Sequence, residues 1–330
     1  MTQRTRLASV GLGWWGNILA EKAVAAGAEI VTGFARAEAG RDEFSVRHRC
    51  SPAESFEDVL ADETIDGILL ATPHTTHAEY IIAAAEAGKH VFVEKPFTLT
   101  VADARRAMSA MEKAGKVLFV GHNRRRQPAI RRIKKMIEDG DLGVVVMIET
   151  NQSTANALGF KPGYWRADRG ESPLGWMTSL GVHMIDTMHY MLGPIGRVFA
   201  FSGVLLEPPP IDDVTVVVFE FESGPLGYLG TSFVVPRTAT VAVRGTGGSV
   251  MMTEDGSRLS IQGTADPVPH EEPVQRLDTV TDELDEFIRC IQGEAKPETG
   301  AAEGLEVVAV LEAMVASSES GTAQAVKDFL

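Results

Sequence analysis

Three short segments of this 330-residue chain carry residues whose type and spacing suit chemistry. The first is Gly11-Leu12-Gly13-Trp14-Trp15-Gly16, which follows an apolar run at residues 7–10 and opens an amphipathic stretch. A strand entering such a turn uses Gly11 for the tight bend, Gly13 to let backbone N–H groups approach a pyrophosphate, and Gly16 to let helix and strand lie close. The helix dipole adds to the attraction of an anion, and Trp14 and Trp15 join the glycines as cofactor-contact candidates. The second segment lies about 20 residues further on, where a dinucleotide-binding unit ordinarily carries Asp or Glu for the ribose hydroxyls. Here it reads Phe34-Ala35-Arg36. A guanidinium in that place suits a 2′-phosphate, so NADP is expected in preference to NAD.

The third segment is split. Ala71-Thr72-Pro73-His74-Thr75-Thr76-His77 and Glu94-Lys95-Pro96 each follow a predicted strand, and open α/β sheets bind ligands at the carboxyl ends of their strands. Thr72, Pro73, His74, His77, Glu94 and Lys95 are therefore candidates for cofactor contact. Lys95 is also a candidate for catalysis. Beside a positively charged nicotinamide its protonated form is disfavoured, and it can bond a substrate hydroxyl or carbonyl oxygen.

Two other constellations are set aside. His183, Asp186 and His189 are spaced i, i+3, i+6, which drifts roughly 120° around a helix, so no metal site is expected. The basic stretch 124–135 falls on a predicted amphipathic helix without interleaved aromatics and reads as a solvated face, with Arg125 able to reach an anionic substrate at the domain junction.

The elements that must position these residues are legible from periodicity. Predicted strands at 7–10, 29–34, 67–71, 90–93 and 117–121 alternate with helices at 15–26, 54–61, 77–86 and 102–113, the signature of βαβ units. After Gly121 come a basic helix at 128–139, a strand at 144–149 and a helix near 182–191. Alternating runs follow at 198–205, 214–221, 226–234, 240–244 and 249–253, separated by Gly and Pro turns. Helices at 282–290 and 301–317 close the chain. The expected fold class is α/β: a Rossmann doubly wound parallel sheet over residues 1–121, then an α/β domain on an open, mainly antiparallel sheet over 122–330. The closing helices are expected to reach back to the first domain.

Composition narrows the function classes. The formal charge of −14 disfavours nucleic acid and anionic membranes as partners, and the two cysteines are too few for a disulfide framework. With no apolar run near the roughly 20 residues of a spanning helix and no signal peptide expected, the reading is a soluble, cytoplasmic protein with free thiols.

The glycine loop, the Ala-Thr-Pro turn, Gly88-Lys89-His90-Val91-Phe92-Val93-Glu94-Lys95-Pro96, Trp165-Arg166 and Gly181-Val182-His183-Met184-Ile185-Asp186 together resemble the glucose-fructose oxidoreductase / inositol dehydrogenase / rhizopine-catabolism family. The resemblance spans nearly the whole chain. It implies a Rossmann domain plus an α/β domain with the active site between them, and an open sheet that serves as a homodimer or homotetramer interface. It implies that Lys95 contacts substrate and nicotinamide and that His183 is the general acid/base. Asp186, three residues later on the same helical face, would orient that imidazole or bind a substrate hydroxyl. One departure stands out: where related polyol dehydrogenases carry Asp four residues before the histidine, this chain has Ser179. Serine supplies one hydrogen bond but no carboxylate. Trp165, Trp176, Met177 and Met184 flank the same elements, so either an apolar pocket or ordinary core is expected there.

The expectation is an NADP-dependent oxidoreductase acting on a secondary alcohol or ketone of a sugar, cyclitol or related small molecule, with substrate contacts from Lys95, Arg125, Trp165, Ser179 and His183. The alternatives are a trans-dihydrodiol or aldehyde-type dehydrogenase, an NAD-assisted glycosidase, and a non-enzymatic cofactor-sensing regulator.

Overall fold

The alternating pattern of the first third folds as β1 (Arg6–Val10), α1 (Trp14–Ala25), β2 (Glu29–Phe34), α2 (Glu38–His48), β3 (Ser51–Pro52), α3 (Phe56–Ala61), β4 (Gly67–Leu70), α4 (His77–Glu86), β5 (His90–Val93), α5 (Val101–Ala114) and β6 (Leu118–Val120). The computed structural model describes residues 4–161, 163–206 and 211–330. All six strands pair in parallel in the order β3-β2-β1-β4-β5-β6, the strand order of a dinucleotide-binding sheet. Ser55 and Thr100 cap α3 and α5 by accepting from the backbone N–H groups of Asp58 and Asp103, and Gly115 closes α5 in the left-handed region. The periodicity gave no sign of α2. Its single buried residue is Phe44, so it presents no apolar stripe.

The second part of the chain contributes α6 (Pro128–Glu138), β7 (Val145–Ser153), α7 (Val182–Leu192), β8 (Ile195–Gly203), β9 (Val214–Phe221), β10 (Leu226–Ser232), β11 (Thr238–Gly245), β12 (Gly248–Thr253), β13 (Arg258–Gly263) and β14 (His270–Pro273). Then come α8 (Thr279–Ile291), α9 (Ala301–Ser320) and β15 (Gln324–Ala325). The sheet runs β14-β13-β12-β11-β7-β10-β9-β8-β15, antiparallel except for the β7–β10 pair. Strands β13 and β14 were not anticipated. The outermost of these, His270-Glu271-Glu272-Pro273, has the charge and proline of a protected edge rather than an apolar alternation.

Two units result: the chain up to His122 with Asp278–Leu305, and Asn123–Leu277 with Glu306–Leu330. In the first, α8 lays Leu284, Phe287 and Ile288 into the core formed by Leu7, Leu19, Leu69, Phe92 and Phe119. The Phe287 ring meets Phe92 and Phe119 edge-on at 5.7 and 6.0 Å. In the second, a smaller cluster of Ala157, Trp176, Ile211 and Phe233 sits beside the segment that leads into α7. Both cysteines are free thiols. No helix among the described residues is long and apolar enough to cross a membrane.

Candidate active site

The turn after β1 is shaped by its three glycines in three ways. Gly11 has φ +93°, and a Cβ there would lie 2.4 Å from the Ala71 carbonyl oxygen; a Cβ on Gly16 would lie 1.9 Å from that of Gly11. Gly13, by contrast, faces open space on the side where a Cβ would project. It is also the N-cap of α1, with no side-chain cap and no acidic residue in the first turn, so the leading N–H groups of α1 are left for an anionic ligand. A dinucleotide pyrophosphate fits this cradle. Asn17 braces it, donating to the carbonyls of Leu12 and Gly13 at 3.0 Å while its own oxygen meets His48 Nε2 at 3.0 Å. Burial pushes the His48 pKa down. Trp14 is 77% exposed beside the loop, and the Trp15 ring tilts against it at 5.4 Å.

At the end of β2, Arg36 is exposed and its guanidinium has no hydrogen-bond or ionic partner among the described residues. Arg41, in the first turn of α2, was missed by sequence reasoning. Its Nη1 donates to the carbonyls of Ala35 (2.9 Å) and Arg36 (3.3 Å), which ties a second guanidinium to the same loop.

Lys95 is the one partly exposed residue in the buried run 91–98, and the Lys95–Pro96 peptide is cis. Glu94 is buried against the backbone of Gly121, where a Cβ would lie 3.0 Å from Glu94 Oε1. His77 is fully buried, with Nδ1 3.0 Å from the Pro96 carbonyl oxygen and Nε2 3.1 Å from that of Thr72. It joins the two loops from beneath. His74 is also buried, its ring edge-on to His77, and the Thr72 hydroxyl meets that of Thr76 at 2.7 Å.

In the second unit, α7 is preceded by a π-turn over Met177–Gly181 that contains Ser179. Gly181 packs closely there: a Cβ would lie 2.3 Å from Met177 Sδ. His183, 5% exposed, sits in the first turn of α7, and its carbonyl accepts from the Thr187 hydroxyl at 2.8 Å. Asp186 is fully buried. Both its oxygens are held by Arg125, from Nε at 2.9 Å and from Nη2 at 2.6 Å. Sequence reasoning offered Arg125 to an anionic substrate and Asp186 to the imidazole or a substrate hydroxyl; the structure joins the two to each other. The basic stretch around them is likewise paired, Arg124 with Asp255 and Arg132 with Glu272. Trp165 is partly exposed with the Arg166 guanidinium 4.0 Å over its ring. Trp176, Met177 and Met184 are buried as core. Among the described residues no group of three or more His, Cys, Asp or Glu side chains is arranged to hold a metal ion.

Comparison with known proteins assigns both parts of the chain to one family. The family described as "Oxidoreductase family, NAD-binding Rossmann fold" matches residues 5–122, and the GFO/IDH/MocA C-terminal domain matches residues 130–251. The chain is similar to an uncharacterized oxidoreductase, YrbE, of Bacillus subtilis (29% identity over 225 residues, 66% of this chain and 64% of that protein). It is also similar to the D-xylose 1-dehydrogenase (NADP(+)) of Haloarcula marismortui, with 24% identity over 335 residues, 96% of this chain and 91% of that protein. Among solved structures, a Desulfitobacterium hafniense protein described as an NADPH-dependent oxidoreductase superposes with a TM-score of 0.93 at 29% identity, covering 100% of this chain and 99% of that one.

Proposed function

The chain belongs to the GFO/IDH/MocA family of oxidoreductases, and we propose that it is a cytoplasmic, NADP-dependent member acting on a secondary alcohol or ketone of a sugar, cyclitol or related small hydroxylated molecule. The observation that carries the cofactor choice is the end of β2: no carboxylate, an exposed Arg36 without an ionic partner among the described residues, and Arg41 tethered to the same loop. A phosphate monoester carries a charge near −2, and guanidinium forks match its oxygens. Similarity to a D-xylose dehydrogenase that uses NADP and to a protein described as NADPH-dependent supports the same reading.

The uncapped start of α1 takes the pyrophosphate. When bound, the nicotinamide supplies the hydride chemistry. Lys95 donates a hydrogen bond to the reacting oxygen and stabilises the negative charge that develops there. His183 accepts the hydroxyl proton in oxidation and returns it in reduction. Ser179 gives one hydrogen bond to a substrate hydroxyl, and Trp165 offers an apolar face to a sugar ring.

The partner we propose is a second copy of the chain, in a dimer or tetramer formed through the outer face of the second sheet. On that face Phe199, Val218 and Tyr228 sit side by side across β8, β9 and β10. Nearby charges come already paired, Arg197 with Glu220 and Arg244 with Glu149. A face that is apolar and locally neutral can meet its own copy without repulsion.

The cofactor reading is tested by fluorescence titration with NADPH and NADH. Wild type binds NADPH at least about tenfold tighter, and Arg36→Ala weakens NADPH by about tenfold while NADH changes little. Equal losses for both cofactors would remove the 2′-phosphate from the account.

A further inference from the structure

The Arg125–Asp186 pair lies outside the roles given to either residue by the sequence, and three observations point to its use. It is buried on both sides, 6% exposed at Arg125 and 0% at Asp186, and bidentate. A buried ion pair contributes little to stability compared with apolar residues of the same volume, so its presence needs another reason. It fastens the turn Asn123–Arg126 to α7 one helical turn past His183, on the same face. And the backbone just ahead of His183 is a π-turn, so on that side His183 does not have regular α-helical support. Arg125 is itself positioned from a second direction, its guanidinium 5.2 Å over the Tyr190 ring.

We propose that Arg125 is a positioning residue for His183: by gripping Asp186 it fixes the turn that carries the imidazole and neutralises the carboxylate next to it. This rests on the reading of His183 as the proton acceptor. Residues at i and i+3 on a helix stand about 5–6 Å apart at Cβ, close enough for an unbalanced Asp186 to hold a proton on His183 and disable it as a base at neutral pH. Several other charged groups on elements packed against α7 are engaged elsewhere. Arg124 is paired with Asp255, Arg131 donates to the Tyr190 hydroxyl, Lys134 is paired with Glu138 and Glu149 with Arg244. Arg126 is buried in the same turn as Arg125, and His189, two turns along α7, lies 3.5 Å from Glu306. None of these groups is altered by the variants below.

The charge balance is tested without substrate. The ring of His183 is followed by NMR in the full-length protein with labelled histidine, its signal assigned by its loss in His183→Asn. Arg125→Met removes the cation bonded to Asp186 and raises the midpoint of His183 by about one pH unit; Asp186→Asn removes the anion bonded to Arg125 and lowers it by a similar amount. The double variant Arg125→Met/Asp186→Leu, which removes both charges and keeps the volume, returns the midpoint to within a few tenths of wild type and guards against misfolding of the single variants. Arg125→Lys keeps the charge but not the fork, so the midpoint stays and turnover falls. Midpoints that move in one direction for both single variants, or do not move, overturn the proposal, as does a His183 that does not titrate between pH 5 and 9 in any of the proteins. A His183→Asn enzyme with unchanged hydride transfer would instead overturn the assignment of His183 as base.

Discussion

Lys95 owes its candidacy to its place: a partly exposed charged side chain in a run of buried neighbours, at the carboxyl end of a parallel strand. Replacing it with Ala is expected to lower turnover by roughly 10²–10⁴-fold, the range of an acid–base group at the reacting atom, and to leave NADPH affinity within about threefold. Stopped-flow hydride transfer beside a binding titration checks this. Loss of cofactor binding would make Lys95 structural. At this scale the sequence was most informative where chemistry depends on local backbone. Gly11, Gly13 and Gly16 are readable because each does its work within one strand–turn–helix. It was least informative where a side chain's partner is distant in the chain. Nothing near Asp186 announces that Arg125, 61 residues earlier, holds both of its oxygens. His77 was offered to the cofactor, yet it lies buried between Thr72 and Pro96, 19 residues apart from the latter in sequence.

At the scale of elements, α2 shows how function hides from periodicity. Only Phe44 is buried, so the helix leaves no pattern, and with it Arg41 went unread although it is tied to the Arg36 loop. The π-turn ahead of α7 has a sharper consequence. Gly181→Ala brings a methyl group onto Met177 Sδ and should cost about 1–3 kcal/mol, read as a lower urea midpoint with unchanged slope. Met177→Ala in the same background should recover part of it. A neutral Gly181→Ala would mean that the turn relaxes freely. Strand β5 supplies a pH effect. Burial, with a smaller contribution from Lys116, pushes the His90 pKa from 6.5 down to about 4, and its Nδ1 accepts from the Val117 N–H at 3.0 Å. Between those two values the unfolded chain takes up a proton that the folded chain refuses. His90 therefore contributes stability that is complete above pH 6.5 and is lost as pH falls toward 4. His90→Asn, which keeps an acceptor but does not titrate, should show a smaller drop in urea midpoint between pH 7 and 4.5 than wild type; identical drops would exclude His90 as a source.

For the whole molecule, the two sheets divide the labour. The six-stranded parallel sheet presents its loops for a dinucleotide, while the nine-stranded sheet carries α7 and an outer face with exposed Phe201, Val218, Leu226 and Tyr228. Its helices and the central strands were legible in the sequence as alternation, but β13, β14 and β15 were not: β14 and β15 are short edge strands that bury little, whereas β13 alternates buried Leu259 and Ile261 with polar residues and was overlooked. Val218→Lys places an unpaired cation at the centre of that face and should convert a dimer or tetramer to monomer in light scattering after gel filtration. A monomeric wild type would refute assembly through this face. In the proposed reaction hydride crosses between NADPH and a carbonyl carbon under Lys95. Its most direct test is deuterium transfer from NADPH labelled at nicotinamide C4, offered with a panel of keto-sugars and cyclitol ketones and read by product mass. One deuterium is expected at the new carbinol carbon with wild type and almost none with a Lys95→Ala protein that still binds NADPH. Tight NADPH binding with no transfer to any of the panel, or undiminished transfer by Lys95→Ala, would contradict it.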